Sequence, residues 1–201
     1  RRREDRPAPS APDNPVNDGL ERHTACSAVS GLPGPDRQRT RKESPLPFDE
    51  YVNKKLARPM EAHRGNFERN LFFLRKVKAF EAGQCWLEVG CGAGWSGILA
   101  AQNGYEVSGF DVVPEFIEAA GENARRLGVR AEFRLGDAAA LDWPDACFDV
   151  VHAECVLEHI PNWRAALREM SRVLKPGGLL YIATTNRAYP ISTEVDFPLY
   201  Q

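Results

Sequence analysis

The chain has 201 residues and a formal net charge of −2, which excludes a protein that binds nucleic acid through an overall basic field. No apolar run reaches the length of about 18 residues that a membrane-spanning helix needs, so no membrane span is predicted. The five cysteines show no C-x-x-C spacing, so neither a zinc site nor a disulfide framework is predicted, and we expect a reducing, cytoplasmic setting.

Residues 1–45 differ in composition from the rest of the chain. They hold seven of the fifteen prolines and no aromatic residue. Such a segment cannot bury enough apolar surface to offset the entropy lost on ordering, so we expect a disordered tail. The basic start, Arg1–Arg3, is followed at once by Glu4 and Asp5, which argues against a transit peptide.

Residues 46–82 carry apolar residues at helical spacing and are predicted to form N-terminal helices. The spacing predicts one apolar face that contains Leu71, Phe72, Leu74, Val77 and Phe80. Such a face is expected to dock on the domain that follows.

Strands and helices alternate from residue 83 to residue 201. Strands are predicted at 85–89, 106–110, 131–135, 148–153 and 179–185, and helices at 95–102, 114–127 and 163–173. Strands separated by helices imply parallel pairing, with helices on both faces of the sheet. The predicted fold class is therefore α/β, with a Rossmann-like, doubly wound, mostly parallel sheet.

A glycine-rich turn follows the first of these strands and precedes a helix. Gly90, Gly92 and Gly94 alternate along the turn and let the backbone approach a ligand closely. The helix after the turn would point its free amide groups at that ligand. Asp111 ends the next strand, where an acid can bind the ribose hydroxyls of a nucleoside. Together these features predict a site for a nucleoside-containing cofactor.

Two overlapping patterns in this turn leave two kinds of cofactor open. Residues 92–97 fit G-x-G-x-x-G, the dinucleotide fingerprint, whereas residues 88–94 fit E-x-G-x-G-x-G. The second pattern places the turn directly after the strand. It also adds Glu88, which would repel a pyrophosphate but not the cationic end of S-adenosylmethionine. We therefore favour S-adenosylmethionine, and an NAD(P)-dependent oxidoreductase is the alternative.

Further motifs follow the turn in a fixed order. They are Asp111 after the second strand, Gly136-Asp137 after the third, residues 148–160 around the fourth, and the LKPGG segment of residues 174–178 before the fifth. With these motifs, residues 79–187 resemble the class I S-adenosylmethionine-dependent methyltransferases, and within them the ubiquinone-pathway O-methyltransferases. The resemblance implies methyl transfer from S-adenosylmethionine to a small-molecule acceptor, and we expect the acceptor atom to be oxygen.

The resemblance also implies a set of cofactor-binding residues. Glu88 is expected to face the amino group of the methionine moiety, Asp111 the ribose, and Asp137 the adenine, with Ala138 beside the adenine ring. The full expected set is Glu88, Gly90, Cys91, Gly92, Gly94, Asp111, Val112, Asp137, Ala138 and Glu154. Local roles stay open for two of these residues, Asp111 as a helix N-cap and Asp137 as a turn residue.

The segment after the fourth strand supplies the candidate catalytic residues. His159 could deprotonate a substrate hydroxyl, and Glu158 lies beside it. A purely structural role for this Leu-Glu-His segment is the alternative. The ubiquinone-pathway enzymes carry a further glutamate, thought to join a metal site, where this chain has Cys155. No metal site is therefore predicted.

Domain boundaries and partners follow from the same resemblance. The helices of residues 46–82 are expected to cap the cofactor, and residues 83–201 to form the methyltransferase domain. The family adds a C-terminal antiparallel hairpin for which few residues remain, so we expect a C-terminally truncated domain and keep a non-catalytic cofactor-binding fragment as a further alternative. No nucleic-acid partner is expected, and the sequence does not set the oligomeric state.

Overall fold

The computed structural model describes residues 47–184. Two helices, α1 (Phe48–Leu56) and α2 (Glu61–Val77), precede the first strand. The elements that follow are, in chain order, β1 (Cys85–Val89), α3 (Trp95–Gln102), β2 (Glu106–Asp111), α4 (Pro114–Arg126), β3 (Ala131–Leu135), β4 (Phe148–Glu154), a single 3₁₀ turn (Leu157–His159), α5 (Trp163–Val173) and β5 (Leu174–Ala183). The expected disordered tail, the expected C-terminal truncation and the Thr185 end of the fifth strand fall outside the described residues.

The five strands form one sheet in the order β3-β2-β1-β4-β5, and every neighbouring pair is parallel. This order confirms the predicted α/β fold with a doubly wound sheet. The order reverses beside β1, because β2 lies on one side of it and β4 on the other. In open α/β sheets ligands bind beyond the carboxyl ends of the strands at such a reversal.

Side chains alternate across β1 and divide the core into two layers. Trp86 packs with residues of α2 and α3, whereas Leu87 and Val89 pack with residues of α5. Most buried residues of both layers are apolar, and their burial supplies the main driving force for folding. The glycine turn after Val89 is thereby held between two packed layers.

The N-terminal helices dock on this domain, but with a different face from the one predicted. Helix α2 buries Phe67, Leu71 and Leu74, which are spaced by four and three residues. Phe72 is 56% exposed and Val77 is 74% exposed, so their predicted place on the buried face is wrong. Both belong to the outer surface of α2, because a helix advances about 100° per residue and only one stripe faces the sheet.

Helix α1 packs at another place, close to the end of β2. Its buried Val52 joins a small cluster with Val113 and Phe116 at the start of α4. The backbone oxygen of Arg58, just after α1, accepts a hydrogen bond of 3.0 Å from Trp95 Nε1 at the start of α3. The N-terminal segment therefore lies against the helices that begin at the carboxyl edge of the sheet.

The LKPGG segment is part of β5, although it was predicted as a turn before the strand. Leu174 already pairs with Phe148 of β4, and pairing resumes with Leu179 opposite Val150. The residues between them form a bulge whose Gly177 has a φ of 74°. Such a bulge lets the strand continue around an insertion. Among residues 47–184, no helix has the length and apolar character that a membrane crossing requires.

Candidate functional site

The predicted cofactor residues come together at the carboxyl edge of the sheet. The glycine turn leaves β1, Asp111 ends β2, and Glu154 ends β4. The amide of Cys91 in the turn donates a hydrogen bond of 2.9 Å to the backbone oxygen of Phe110. The structure thus joins the turn to the end of the neighbouring strand.

The three glycines of the turn are required for different physical reasons. All have positive φ, at 66° for Gly90, 50° for Gly92 and 82° for Gly94. A Cβ on Gly90 would overlap Val156, and a Cβ on Gly94 would lie 2.8 Å from the Cβ of Ala120. A Cβ on Gly92 would meet no heavy atom of the described residues within 4 Å, its chain neighbours aside. Gly92 therefore faces open space, as a residue beside a ligand should.

The third glycine of the dinucleotide pattern, Gly97, has a packing explanation. A Cβ on Gly97 would lie 3.3 Å from the ring of Phe133, and one on Gly109 would lie 2.8 Å from the same ring. Phe133 thus fills a slot between α3 and β2 that only glycines leave open. Packing against Phe133 therefore explains Gly97 without a bound dinucleotide.

Asp111 ties the end of β2 to the glycine turn. Its Oδ2 accepts a hydrogen bond of 3.0 Å from the Gly92 amide, and its Oδ1 accepts one of 3.1 Å from the Val113 amide. The second bond closes a local turn from Asp111 to Val113. Helix α4 has Val113 as its N-cap and no side-chain cap, so the N-cap alternative for Asp111 is wrong. Burial raises the pKa of this carboxyl, and the amides of Gly92 and Val113 counteract part of that effect.

Val112, the residue after Asp111, is exposed on the protein surface. Its side chain is 63% exposed although its neighbours Asp111 and Val113 are buried. An isolated exposed valine needs no explanation by itself. Here the valine follows the carboxylate that binds the Gly92 amide, so an apolar surface is exposed beside Asp111.

Asp137 and Ala138 are less exposed to the site than the sequence suggested. Asp137 Oδ1 accepts a hydrogen bond of 2.9 Å from the Ala139 amide, which is the turn-forming role left open for this residue. Ala138 is buried in the core cluster that contains Phe110 and Trp143. Their expected contacts with adenine stay a prediction.

Glu88 is buried and held by two side chains. The residue is 3% exposed. Its Oε2 accepts a hydrogen bond of 3.0 Å from Trp86 Nε1, and its Oε1 lies 3.0 Å from His152 Nδ1. A carboxylate has about four acceptor positions, so these two contacts leave capacity on both oxygens for a further donor.

Sequence reasoning missed the polar residues that surround Glu88. His152 of β4 is fully buried, Asn70 of α2 is buried, and Tyr181 lies on β5. Burial is the largest single effect and lowers the pKa of His152, but the charge and hydrogen bond of Glu88 together with the charge of Glu154 outweigh it, so the pKa is raised overall. The available sequence signal was His152 itself, because it is a polar residue that interrupts the apolar run from Val150 to Ala153.

His63 is a second residue without a predicted role. It lies in the first turn of α2, and its Nε2 is buried without a hydrogen-bond partner among residues 47–184. Burial lowers the pKa of His63, the charges of Arg58 and Lys55 lower it further, and Glu88 opposes them. His63 is therefore close enough to Glu88 for their charges to interact.

Cys91 and Cys155 lie in the turns that follow β1 and β4. Cys91 is buried, and burial raises the pKa of its thiol, as do the charges of Asp111 and Glu88. Cys155 has a φ of 51°, and its amide donates to the backbone oxygen of Ala183. Cys155 thus shapes the turn that follows Glu154 and leads to the candidate catalytic segment.

The two candidate catalytic residues, Glu158 and His159, lie in the 3₁₀ turn after β4. Glu158 Oε2 accepts a hydrogen bond of 2.8 Å from Thr184 Oγ1 at the end of β5. The charge of His159 is among the effects that lower the pKa of Asp111. Within residues 47–184, no group of three or more His, Cys, Asp or Glu could hold a metal ion.

These features fit a nucleoside cofactor that carries a cationic amino acid. Gly92 borders open space, and Asp111 provides a carboxylate beside it. Val112 provides an apolar surface, and Glu88 provides negative charge.

Comparison with known proteins gives one family. Residues 87–182 match a methyltransferase domain family. The chain is 40% identical over 102 residues to a 2-methyl-6-phytyl-1,4-hydroquinone methyltransferase of Synechocystis sp., covering 50% of this chain and 32% of that protein. It is 36% identical over 107 residues to a ubiquinone biosynthesis O-methyltransferase of Xanthomonas axonopodis pv. citri, covering 53% of this chain and 45% of that protein.

Solved structures agree with this family. The fold is similar to Haemonchus contortus phosphoethanolamine N-methyltransferase 2 in complex with S-adenosyl-L-methionine, with a TM-score of 0.53 and 27% identity over 57% of this chain and 27% of that one. The chain spans less than half the length of the two curated relatives described above.

Proposed function

We propose, from the premise that residues 87–182 belong to the class I S-adenosylmethionine-dependent methyltransferases, that this protein moves a methyl group from S-adenosylmethionine to an oxygen of a small-molecule acceptor. The observation that carries the proposal is the connection between Gly92 and Asp111. The turn that faces open space is hydrogen-bonded to a buried carboxylate, which is the pair a ribose-containing cofactor needs.

Each site residue has a role in this proposal. Asp111 receives the ribose hydroxyls, Gly92 passes close to the amino-acid end of the cofactor, and Glu88 receives its ammonium group. Asp137 is proposed to accept from the adenine amino group. When bound, S-adenosylmethionine supplies a methyl group that is already activated on a positively charged sulfur. The protein's main contribution to rate is then to hold the reactants in line.

The acceptor is proposed to be an aromatic hydroxyl. The name of the ubiquinone biosynthesis O-methyltransferase supports oxygen as the acceptor atom, and the name of the hydroquinone methyltransferase supports an aromatic acceptor. The hydroxyl proton has to leave when its oxygen gains the methyl group, and His159 is the residue proposed to accept it. Glu158, bonded to Thr184, is proposed to hold the segment that carries His159.

The alternatives make different predictions about binding. An NAD(P)-dependent oxidoreductase would bind NADH, but Phe133 already accounts for Gly97 in its fingerprint. A non-catalytic fragment would bind the cofactor without turnover.

Calorimetric titration of the full chain with S-adenosylhomocysteine tests the cofactor, with NADH as the comparison ligand. We expect saturable binding in the micromolar range for the first and none for the second. Transfer of a labelled methyl group from S-adenosylmethionine to 1,4-hydroquinone or catechol tests the acceptor class. Saturable NADH binding would overturn the proposal, and cofactor binding without transfer to any hydroxyl probe would favour the non-catalytic alternative.

A further inference from the structure

Three side chains on adjacent strands form a polar row beneath α2. Glu88 of β1 is in register with His152 of β4, and His152 is in register with Tyr181 of β5. The rings of His152 and Tyr181 stack with their centroids 4.9 Å apart and their planes 5° from parallel. Asn70 of α2 lies over this row. The row therefore connects β5 to the residue that stands two positions before Gly90.

Hydrogen bonds give the row a direction. Tyr181 donates from its hydroxyl to Asn70 Oδ1 at 2.7 Å, which turns the amide nitrogen of Asn70 toward His152 Nε2 at 3.4 Å. His152 Nδ1 then faces Glu88 Oε1 at 3.0 Å. Each member orients the next, so the last one, Glu88, is held in a single orientation.

Burying such a row of polar side chains in a core costs free energy. Taking a carboxylate and an imidazole out of water is unfavourable, and apolar residues of similar size often replace a buried ion pair without loss of stability. The neighbours on this face include Phe67 and Trp86, against which an apolar side chain would pack. The fold alone therefore does not require His152.

We propose that His152 is a positioning residue, which holds the Glu88 carboxylate in the orientation that receives the ammonium group of the cofactor's methionine moiety. The inference deepens the proposed function and rests on it. Glu88 keeps acceptor capacity on both oxygens, because His152 and Trp86 use one position on each. Further titratable groups also act on members of this row, and they include Glu154, His63, Arg69 and Cys155.

Two ligands separate this role from a structural one. S-adenosylhomocysteine carries the amino-acid end of the cofactor, whereas 5′-methylthioadenosine carries only the nucleoside and the sulfur. Replacement of His152 by Leu (H152L) should weaken binding of the first by about 10- to 100-fold, since a hydrogen bond to a charged group contributes about 1.5–3 kcal/mol. Binding of 5′-methylthioadenosine should not change. A structural role would weaken both ligands together.

Matched variants keep the test decisive. Val150→Ala removes buried volume from the same strand and face and should leave the ratio of the two affinities unchanged. His152→Gln retains a donor for Glu88 and should recover part of the affinity. If H152L does not fold, the ratio is measured in His152→Gln and Tyr181→Phe, and an unchanged ratio in both overturns the inference.

The inference and the proposed function fail in different ways. A wild-type chain that binds neither ligand contradicts the proposed cofactor, and the inference falls with it. A wild-type chain that binds both ligands, with H152L weakening both equally or neither, contradicts only the role of His152.

Discussion

The amide of Gly92 donates a hydrogen bond of 3.0 Å to Oδ2 of Asp111, and this contact joins the turn after β1 to the end of β2. The donor belongs to the glycine that faces open space, and the acceptor is buried. The Asp111 carboxylate therefore helps to shape the turn and also lies next to the open space beside Gly92. The coupling means that turn geometry and the proposed ribose binding cannot be changed independently at Asp111.

Replacement of Asp111 by Ala should weaken binding of S-adenosylhomocysteine by about 10- to 100-fold, because hydrogen bonds to a carboxylate contribute about 1.5–3 kcal/mol. Isothermal titration calorimetry measures the change. Asp142→Ala, at an exposed aspartate elsewhere on the domain, should bind like the wild type. Equal affinity in wild type and Asp111→Ala would mean that the cofactor does not use this carboxylate.

The glycine turn and the acidic end of β2 could be predicted from the sequence because their signals are local. A turn with three alternating glycines and an acid at the next strand end are each read within a few residues. The strands of the sheet were also predicted closely, since apolar runs with helices between them indicate parallel pairing. Local patterns therefore carried both the α/β fold and the positions of Gly92 and Asp111.

The features that were missed depend on contacts between distant parts of the chain. The partner of Glu88 is His152, 64 residues away, and it follows from strand register that one sequence does not reveal. The buried face of α2 was misassigned because Phe72 and Val77 are as apolar as Leu71. Only the position of the helix on the sheet decides between them, and that position is set by tertiary packing.

Gly90→Ala and Gly92→Ala should separate folding from binding. Both glycines have positive φ, which costs about 1–2 kcal/mol for a residue with a Cβ. The new methyl group at residue 90 also overlaps Val156, and overpacking adds about 1–3 kcal/mol. Gly90→Ala should therefore lose more unfolding free energy in urea than Gly92→Ala.

Binding should follow the opposite order for protein that remains folded. The methyl group of Gly92→Ala would enter the space where the cofactor is proposed to pass, so this variant should lose affinity for S-adenosylhomocysteine despite its milder loss of stability. A stable Gly92→Ala chain with wild-type affinity would exclude this turn from the cofactor site.

The Glu88–His152 pair should stabilise the fold more at low pH than at high pH. Burial lowers the pKa of His152, Glu88 and Glu154 raise it, and the net result is a raised value. The native chain thus binds this proton more tightly than the unfolded chain, so the stabilisation is complete below the ordinary histidine pKa of about 6.5. It is lost as the pH rises through the raised pKa of the native state.

Urea unfolding of wild type and His152→Gln across this range measures the effect. The difference in unfolding free energy between the two proteins should shrink as the pH rises. Taking the difference removes the titration of His63 and Asp111, which both proteins share. A difference that stays constant, or grows with pH, would contradict the assigned direction of the shift.

His159 should affect turnover rather than cofactor binding. A positioned base contributes about 100- to 10,000-fold to a proton transfer, so His159→Ala should lower kcat for methyl transfer to 1,4-hydroquinone by about 100-fold or more. The affinity for S-adenosylhomocysteine should stay unchanged, because the imidazole is proposed to contact the acceptor. Glu158→Gln is the matched control, since its side-chain oxygen can still accept the bond from Thr184 and should preserve most of the activity. A parallel loss of kcat and affinity in His159→Ala would instead assign this residue to the architecture of the turn, because a base that touches only the acceptor lowers kcat alone.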